Sequence, residues 1–249
     1  MEDNARYGQQ DFNLPHDMVL LPSEGKFYLN KKKSFKVGYL TAEDENILIS
    51  ATDSQNIINT LLRNKIYESD VNINDLLEGD MEAILIFLRN TSFGAEYNFT
   101  LTDPKTRKEF KKTIMLDELD FVKPKIEPNE KGLFEFTLPK TGKKVECRIL
   151  TVGDTNELSD MMSKYPEGVV TPVVTKRLEK IIVSIDGNTD REFISKFVTS
   201  LPIMDSKFIR NTIKDCEPRL DLNRVVLAPS GEKVNVRITF GAEFFRPFF

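Results

Sequence analysis

From Met18 onward the spacing of apolar and polar positions changes several times, and each change predicts an element. Met18-Val19-Leu20-Leu21 reads as a short apolar strand, followed by a loop at Pro22-Ser23-Glu24-Gly25 and an aromatic return at Phe27-Tyr28. Alternation over 34–40 predicts a second strand. Thr41 with Asp44 three residues on is a capping-box pattern, opening a helix with Ile47, Leu48 and Ala51 on one face. Ile57, Ile58, Leu61, Leu62 and Ile66 recur at near-helical spacing from about Ser54. A third helix follows, with Asp80 expected as its cap, Ile84 to Leu88 as a buried stretch and Gly94 as its stop.

The middle and end of the chain carry a recurring pattern: an alternating strand, a Pro-containing polar turn and a second alternating strand. It occurs at 99–114, 136–150 and 225–240. Between and around these hairpins, helices are expected over 155–165, from Pro172 through Val174, Leu178, Ile181, Ile182 and Ile185, and after caps at Asp190 and Asp205. Runs of helix and hairpin without strand-helix-strand alternation predict an α+β fold, with short helices alternating with three knuckle-like hairpins. The Pro- and charge-rich stretch 125–132 reads as a linker. The expected organisation is a flexible arm at 1–17, one α+β domain at 18–124 and a second at 133–249 ending in an aromatic tail.

Composition narrows the function. Lys and Arg number 35 against 39 Asp and Glu, with the signs interspersed, which argues against a general nucleic-acid binder. The basic hairpins at 105–112 and 140–148 read as solvent faces of exposed strands, with a nucleic-acid-binding module as the alternative reading. No stretch approaches the ~20 apolar residues that span a bilayer, and no signal-peptide pattern opens the chain. The only histidine, His16, falls in the expected arm, so no Ser-His-Asp or Cys-His site can be assembled. With Cys147 and Cys216 it makes three Cys or His residues, too few for a structural zinc site. Two cysteines also fit a reducing compartment. The carboxylates at Asp117, Glu118 and Asp120, and those at Glu43, Asp44 and Glu45, are expected to be solvated or to serve helix ends rather than catalysis or metal binding.

The C-terminus carries more signal. Phe240, Phe244, Phe245, Phe248 and Phe249, with Arg246 and Pro247, form an aromatic end that water would not tolerate exposed. It is expected to be buried either in its own domain or in a partner. With Leu21, Pro22, Phe27 and Tyr28 it makes the candidate partner-binding set, and no catalytic, cofactor or metal residues are expected.

Three segments in order, 21–28, 37–45 and 76–80, together with the hairpins and Phe244-Phe245-Arg246-Pro247, resemble the T4-type bacteriophage baseplate hub assembly family. The resemblance covers most of the chain. It implies a non-enzymatic role in building the central hub of a contractile tail's baseplate, as a chaperone-like factor or as a permanent subunit. The implied partners are other hub or hub-assembly proteins, with no membrane and no nucleic acid. The implied place is the host bacterial cytoplasm during assembly, with the virion baseplate as the alternative. It also implies hairpin tips of the Cys-Pro-x-Cys-Gly kind that hold zinc. Here the matching tips, 103–106, 139–142 and 229–231, keep their prolines and lack the cysteines, so no metal is expected.

Overall fold

Alternation in the first strand, β1 (His16–Leu20), buries Val19 and leaves Met18 and Leu20 facing outward. β1 pairs antiparallel with β2 (Ser34–Gly38). The computed structural model describes residues 15–50 and 54–245. His16 and Asp17, expected in a flexible arm, therefore belong to a strand. The ladder with Gly38 and Val37 needs only their backbones, and polar side chains do not prevent it. The rest of the expected arm lies outside the described residues, as does Ala51.

Helices α1 (Ala42–Ser50), α2 (Ser54–Lys65) and α3 (Glu78–Phe93) follow as the periodicity predicts. Leu48, Ile57, Leu61, Leu62, Ile84 and Leu85 are almost fully buried. Gly94 ends α3 at φ 82°. The hairpin β3 (Glu96–Thr102) and β4 (Glu109–Met115) comes next, then the two-residue β5 (Phe121–Val122). β6 (Phe134–Thr137) and β7 (Lys144–Cys147) form the second hairpin. Next come α4 (Val152–Ser163), α5 (Val173–Ile181) and β8 (Ile182–Ile185), which joins β7 to give the order β6-β7-β8. α6 (Arg191–Ser200), α7 (Ile203–Cys216), β9 (Arg219–Leu220), and the hairpin β10 (Asn223–Leu227) with β11 (Lys233–Arg237) complete the chain, followed by a 3-10 turn at Ala242–Phe245. Helices with small antiparallel sheets of two or three strands make this an α+β fold.

Three local expectations change. The helix expected through Ile185 stops at Ile181, because Ile182, Val183 and Ile185, β-branched residues suited to a strand, complete the edge of a sheet whose other strands are already in place. Asp80 and Asp205 do not cap their helices. The N-caps are Leu77 and Pro202, and each aspartate is the third helical residue with its carboxylate turned to another segment. Asp190 does cap α6, accepting from the Phe193 amide at 2.7 Å.

The apolar residues form two cores. The first is built by β1, β2 and α1 to α3, and is completed from the far end of the chain by Leu220, Leu222, Ile238, Phe244 and Phe245. The second is built by β6 to β8 and α4 to α7. The cores interlock where Leu77 packs into the second and Val152 into the first, joined by the Val152 amide donating to Leu76 at 2.8 Å. The expected division at 125–132 thus does not follow the composition of the cores. The expected linker is itself tied down: the Lys125 amide donates to Asp215 at 3.0 Å and its ammonium pairs with the Asp215 carboxylate at 2.7 Å.

Candidate interaction surfaces and the cleft between the cores

The segment 21–28 is organised around one carboxylate. Asp80, with no exposed surface, accepts from the Ser23 amide at 2.9 Å and the Tyr28 hydroxyl at 2.5 Å, and that hydroxyl accepts from the Leu77 amide at 3.1 Å. Burial pushes the Asp80 carboxyl up against the pull of these donors. Burial and the adjacent Asp80 likewise raise the Tyr28 phenol. Gly25, at φ 72°, sits where a side-chain carbon would lie 2.5 Å from the Lys32 carbonyl oxygen, so only glycine fits the loop. Leu21 and Pro22 are buried. Phe27 stacks on Phe134 at 5.9 Å and Tyr28 on Phe35 at 5.9 Å, so this segment bridges the two cores.

The aromatic end is docked in the first core as far as it is described. Phe244 is 1% and Phe245 0% exposed, with Phe240 half-buried beside them. Their rings meet edge-on, Phe240 to Phe244 at 4.9 Å and Phe244 to Phe245 at 5.0 Å. Arg89, 2% exposed, fixes this turn: its guanidinium donates to the carbonyls of Phe244 at 3.0 Å, Gly94 at 2.7 Å and Glu96 at 3.2 Å. Arg246, Pro247, Phe248 and Phe249 lie outside the described residues. A partner could reach the buried members of the expected set only with their segments undocked.

The first two hairpin tips share one geometry, the third is one residue shorter, and a carboxylate gathers amides from each. In each, the residue before proline closes the tip with its own amide: Asp103 to Lys108, Leu138 to Lys143 and Ala228 to Glu232, at 2.9, 2.8 and 2.9 Å. In the first tip Asp103 accepts from the amides of Lys105 and Thr106 at 2.9 and 3.1 Å. The second has Leu138 where the first has Asp103, and the equivalent amides, Lys140 and Thr141, donate to Asp205 from α7 at 2.8 and 2.9 Å. The third tip reaches back to the first, Ser230 donating its amide and hydroxyl to Asp103 at 3.0 and 2.8 Å. Burial pushes the Asp103 carboxyl up, but these donors outweigh it and hold it at about 2. No cluster of His, Cys, Asp or Glu that could hold a metal occurs among the described residues.

Sequence reading missed Arg89 and the long-range carboxylates. A signal for the latter was present: Thr41 and Thr151 precede Asp44 and Asp154 by three residues and make local boxes, whereas Leu77 and Pro202 cannot accept an amide through a side chain. Asp154 also takes a bidentate pair from Arg148 at 2.6 and 2.9 Å and a contact from Lys180 at 3.1 Å.

The expected basic faces differ from each other. In the second hairpin Lys143, Lys144 and Arg148 are paired with Asp186, Glu135 and Asp154. In the first, Lys105 to Lys108, Lys111 and Lys112 are exposed. Asp117, Glu118 and Asp120 are exposed around a 3-10 turn.

A cleft of about 490 Å³ opens where α3, α5 and α7 meet the segment 217–219. Gly79 lets α3 approach that segment, since a side-chain carbon there would lie 2.1 Å from the Pro218 carbonyl oxygen. Arg177, Arg210, Lys214, Arg219 and Arg237 line the cleft, against Glu78, Glu82 and Glu217. Val174, expected to be buried, is 44% exposed on its rim because the partner face of α5 begins at Leu178. Among the described residues no helix is long and apolar enough to cross a membrane.

A family model described as T4 bacteriophage base plate protein matches residues 17–245. No curated protein matches the chain, and no solved structure does.

Proposed function

Because the chain belongs to the T4 bacteriophage base plate protein family, we propose that it works by binding other baseplate proteins while the central hub of a contractile tail is built, without bond chemistry. Within that family its motifs look like those of the T4 baseplate hub assembly catalyst. The action proposed is therefore that of an assembly factor in the host bacterial cytoplasm, lowering a barrier by holding a hub intermediate.

The observation that carries the reading is the family match along nearly all of the described chain. It is supported by outward apolar faces on strand pairs that no other strand extends. Met18 and Leu20 on β1 and Val225 and Leu227 on β10 are each more than half exposed, a pattern suited to covering by another protein.

A permanent hub subunit is the second reading, since the same exposed faces would serve a lasting interface. Quantitative mass spectrometry of purified hub intermediates and finished virions separates the two. Presence in intermediates and absence from virions is the expected outcome. A fixed integer stoichiometry in both would make the chain a structural subunit, and absence from both would overturn the assembly role altogether.

A further inference from the structure

The cleft between α3, α5 and α7 has cations that the fold uses only in part: Arg237 pairs with Glu82 at 3.8 Å and Arg219 donates to the Lys214 and Glu217 carbonyls at 3.0 and 3.1 Å. Among the described residues, Arg177 and Lys214 are exposed and make no ion pair, and Arg210 bonds only its own helix, through the Ser206 carbonyl at 3.3 Å. Arg177 lies one turn beyond Val173 and Val174 on α5, and Arg210 and Lys214 lie one turn apart on α7. Arg177 from α5 thus shares the cleft with Arg210 and Lys214 from α7, beside an apolar lip. Val173 and Val174 are 45% and 44% exposed, and Val170, just before them, is 92% exposed.

We propose that this cleft receives an acidic peptide segment of another baseplate protein, its carboxylates set between Arg177, Arg210 and Lys214 and its neighbouring apolar side chains on Val173 and Val174. The inference rests on the reading of this chain as a protein-binding baseplate protein. A volume of 490 Å³ falls in the range of about 300–1,000 Å³ usual for ligand clefts. Charge complementarity identifies the occupant: five cations line the cleft against three carboxyls.

The carboxyls weaken that excess less than their number implies. Burial pushes Glu82 up to about 7, with Glu78 and Glu217 adding to the rise and Arg237 and Arg219 opposing it, and burial raises Glu217 as well. Closely spaced phosphates of a nucleic acid would still meet Glu78 and the ionised share of the other two. A peptide can instead place single carboxylates beside the cations and apolar groups on the lip.

The test uses the full chain on a synthetic array of overlapping peptides covering the other baseplate proteins of the same phage. It compares two variants of equal charge change, Arg177→Glu with Lys214→Glu in the cleft, and Lys111→Glu with Lys112→Glu on the β3–β4 hairpin. All four positions are exposed, and circular dichroism checks that each variant keeps the fold. Retained peptides should combine Asp or Glu with apolar residues. Their binding should fall at least about tenfold in the cleft variant and hold in the hairpin variant. A blank array, undiminished binding in the cleft variant, or equal loss in both variants would overturn the proposal. If the array is blank while the full chain co-purifies with baseplate proteins from infected cells, the cleft fails and the binding role stands. If nothing co-purifies, that role fails too.

Discussion

Asp44, Asp80, Asp154 and Asp205 occupy the third residue of four different helices, where a carboxylate also suits the positive end of the helix dipole. What precedes the helix decides their use. Asp44 and Asp154 each bond the threonine three residues before them and also a lysine, Lys65 and Lys180, while Leu77 and Pro202 leave Asp80 and Asp205 free to collect amides from distant loops. Asp205→Ala should therefore cost about 2–4 kcal/mol in urea unfolding, since two charge-assisted bonds are lost together. Asp190→Ala, which removes only a cap, should cost about 1 kcal/mol. Equal small losses would show that Asp205 does not hold the second tip. A pH effect follows from Asp103 and Asp154. Burial raises both carboxyls, but the tip donors at Asp103 and Arg148, the Thr151 amide and Lys180 at Asp154 outweigh it and hold each at about 2, below the ordinary 3.8. A depressed carboxyl stabilises the fold above its unfolded value, and that contribution is lost as pH falls from 3.8 through about 2. Thermal midpoints measured down to that range should drop steeply, and Asp103→Asn should flatten part of the drop.

At the scale of elements, the hairpins were legible because alternation and a proline turn are both local signals. β8 was not. Its Ile182-Val183-Ser184-Ile185 segment fits a helix face or a strand equally well, and the waiting edge of β7 settles which. The 3-10 turn at Ala242–Phe245 carries two buried rings and is held by the Arg89 guanidinium. Phe245→Ala should cost about 3–5 kcal/mol, and truncation after Gly241 should abolish cooperative unfolding. A truncated chain that melts like the full one would mean that these rings add little to the first core.

For the whole molecule, the return of residues 220–245 to the first core matters more than the stretch at 125–132. A fragment of residues 18–124 lacks Leu220, Leu222, Ile238, Phe244 and Phe245. It should give a collapsed, poorly dispersed NMR spectrum, whereas co-expression with residues 125–249 should restore dispersion. A well-dispersed fragment alone would establish the division at 125–132 as a true domain boundary.

Sequence alone determined the helices of the first half, the three hairpins, the α+β class and the family resemblance. These follow from residue type and short-range spacing, which the chain carries wherever it folds. Tertiary structure decided that Asp103, Asp80 and Asp205 clamp loops up to 127 residues away. It also decided that the aromatic end closes the first core, and that cations from α5, α7, β9 and β11 converge on one cleft. Those partners come from segments far apart in sequence, save the neighbouring cations of α7 and β9. Their meeting depends on which apolar faces pack together, and periodicity does not specify that.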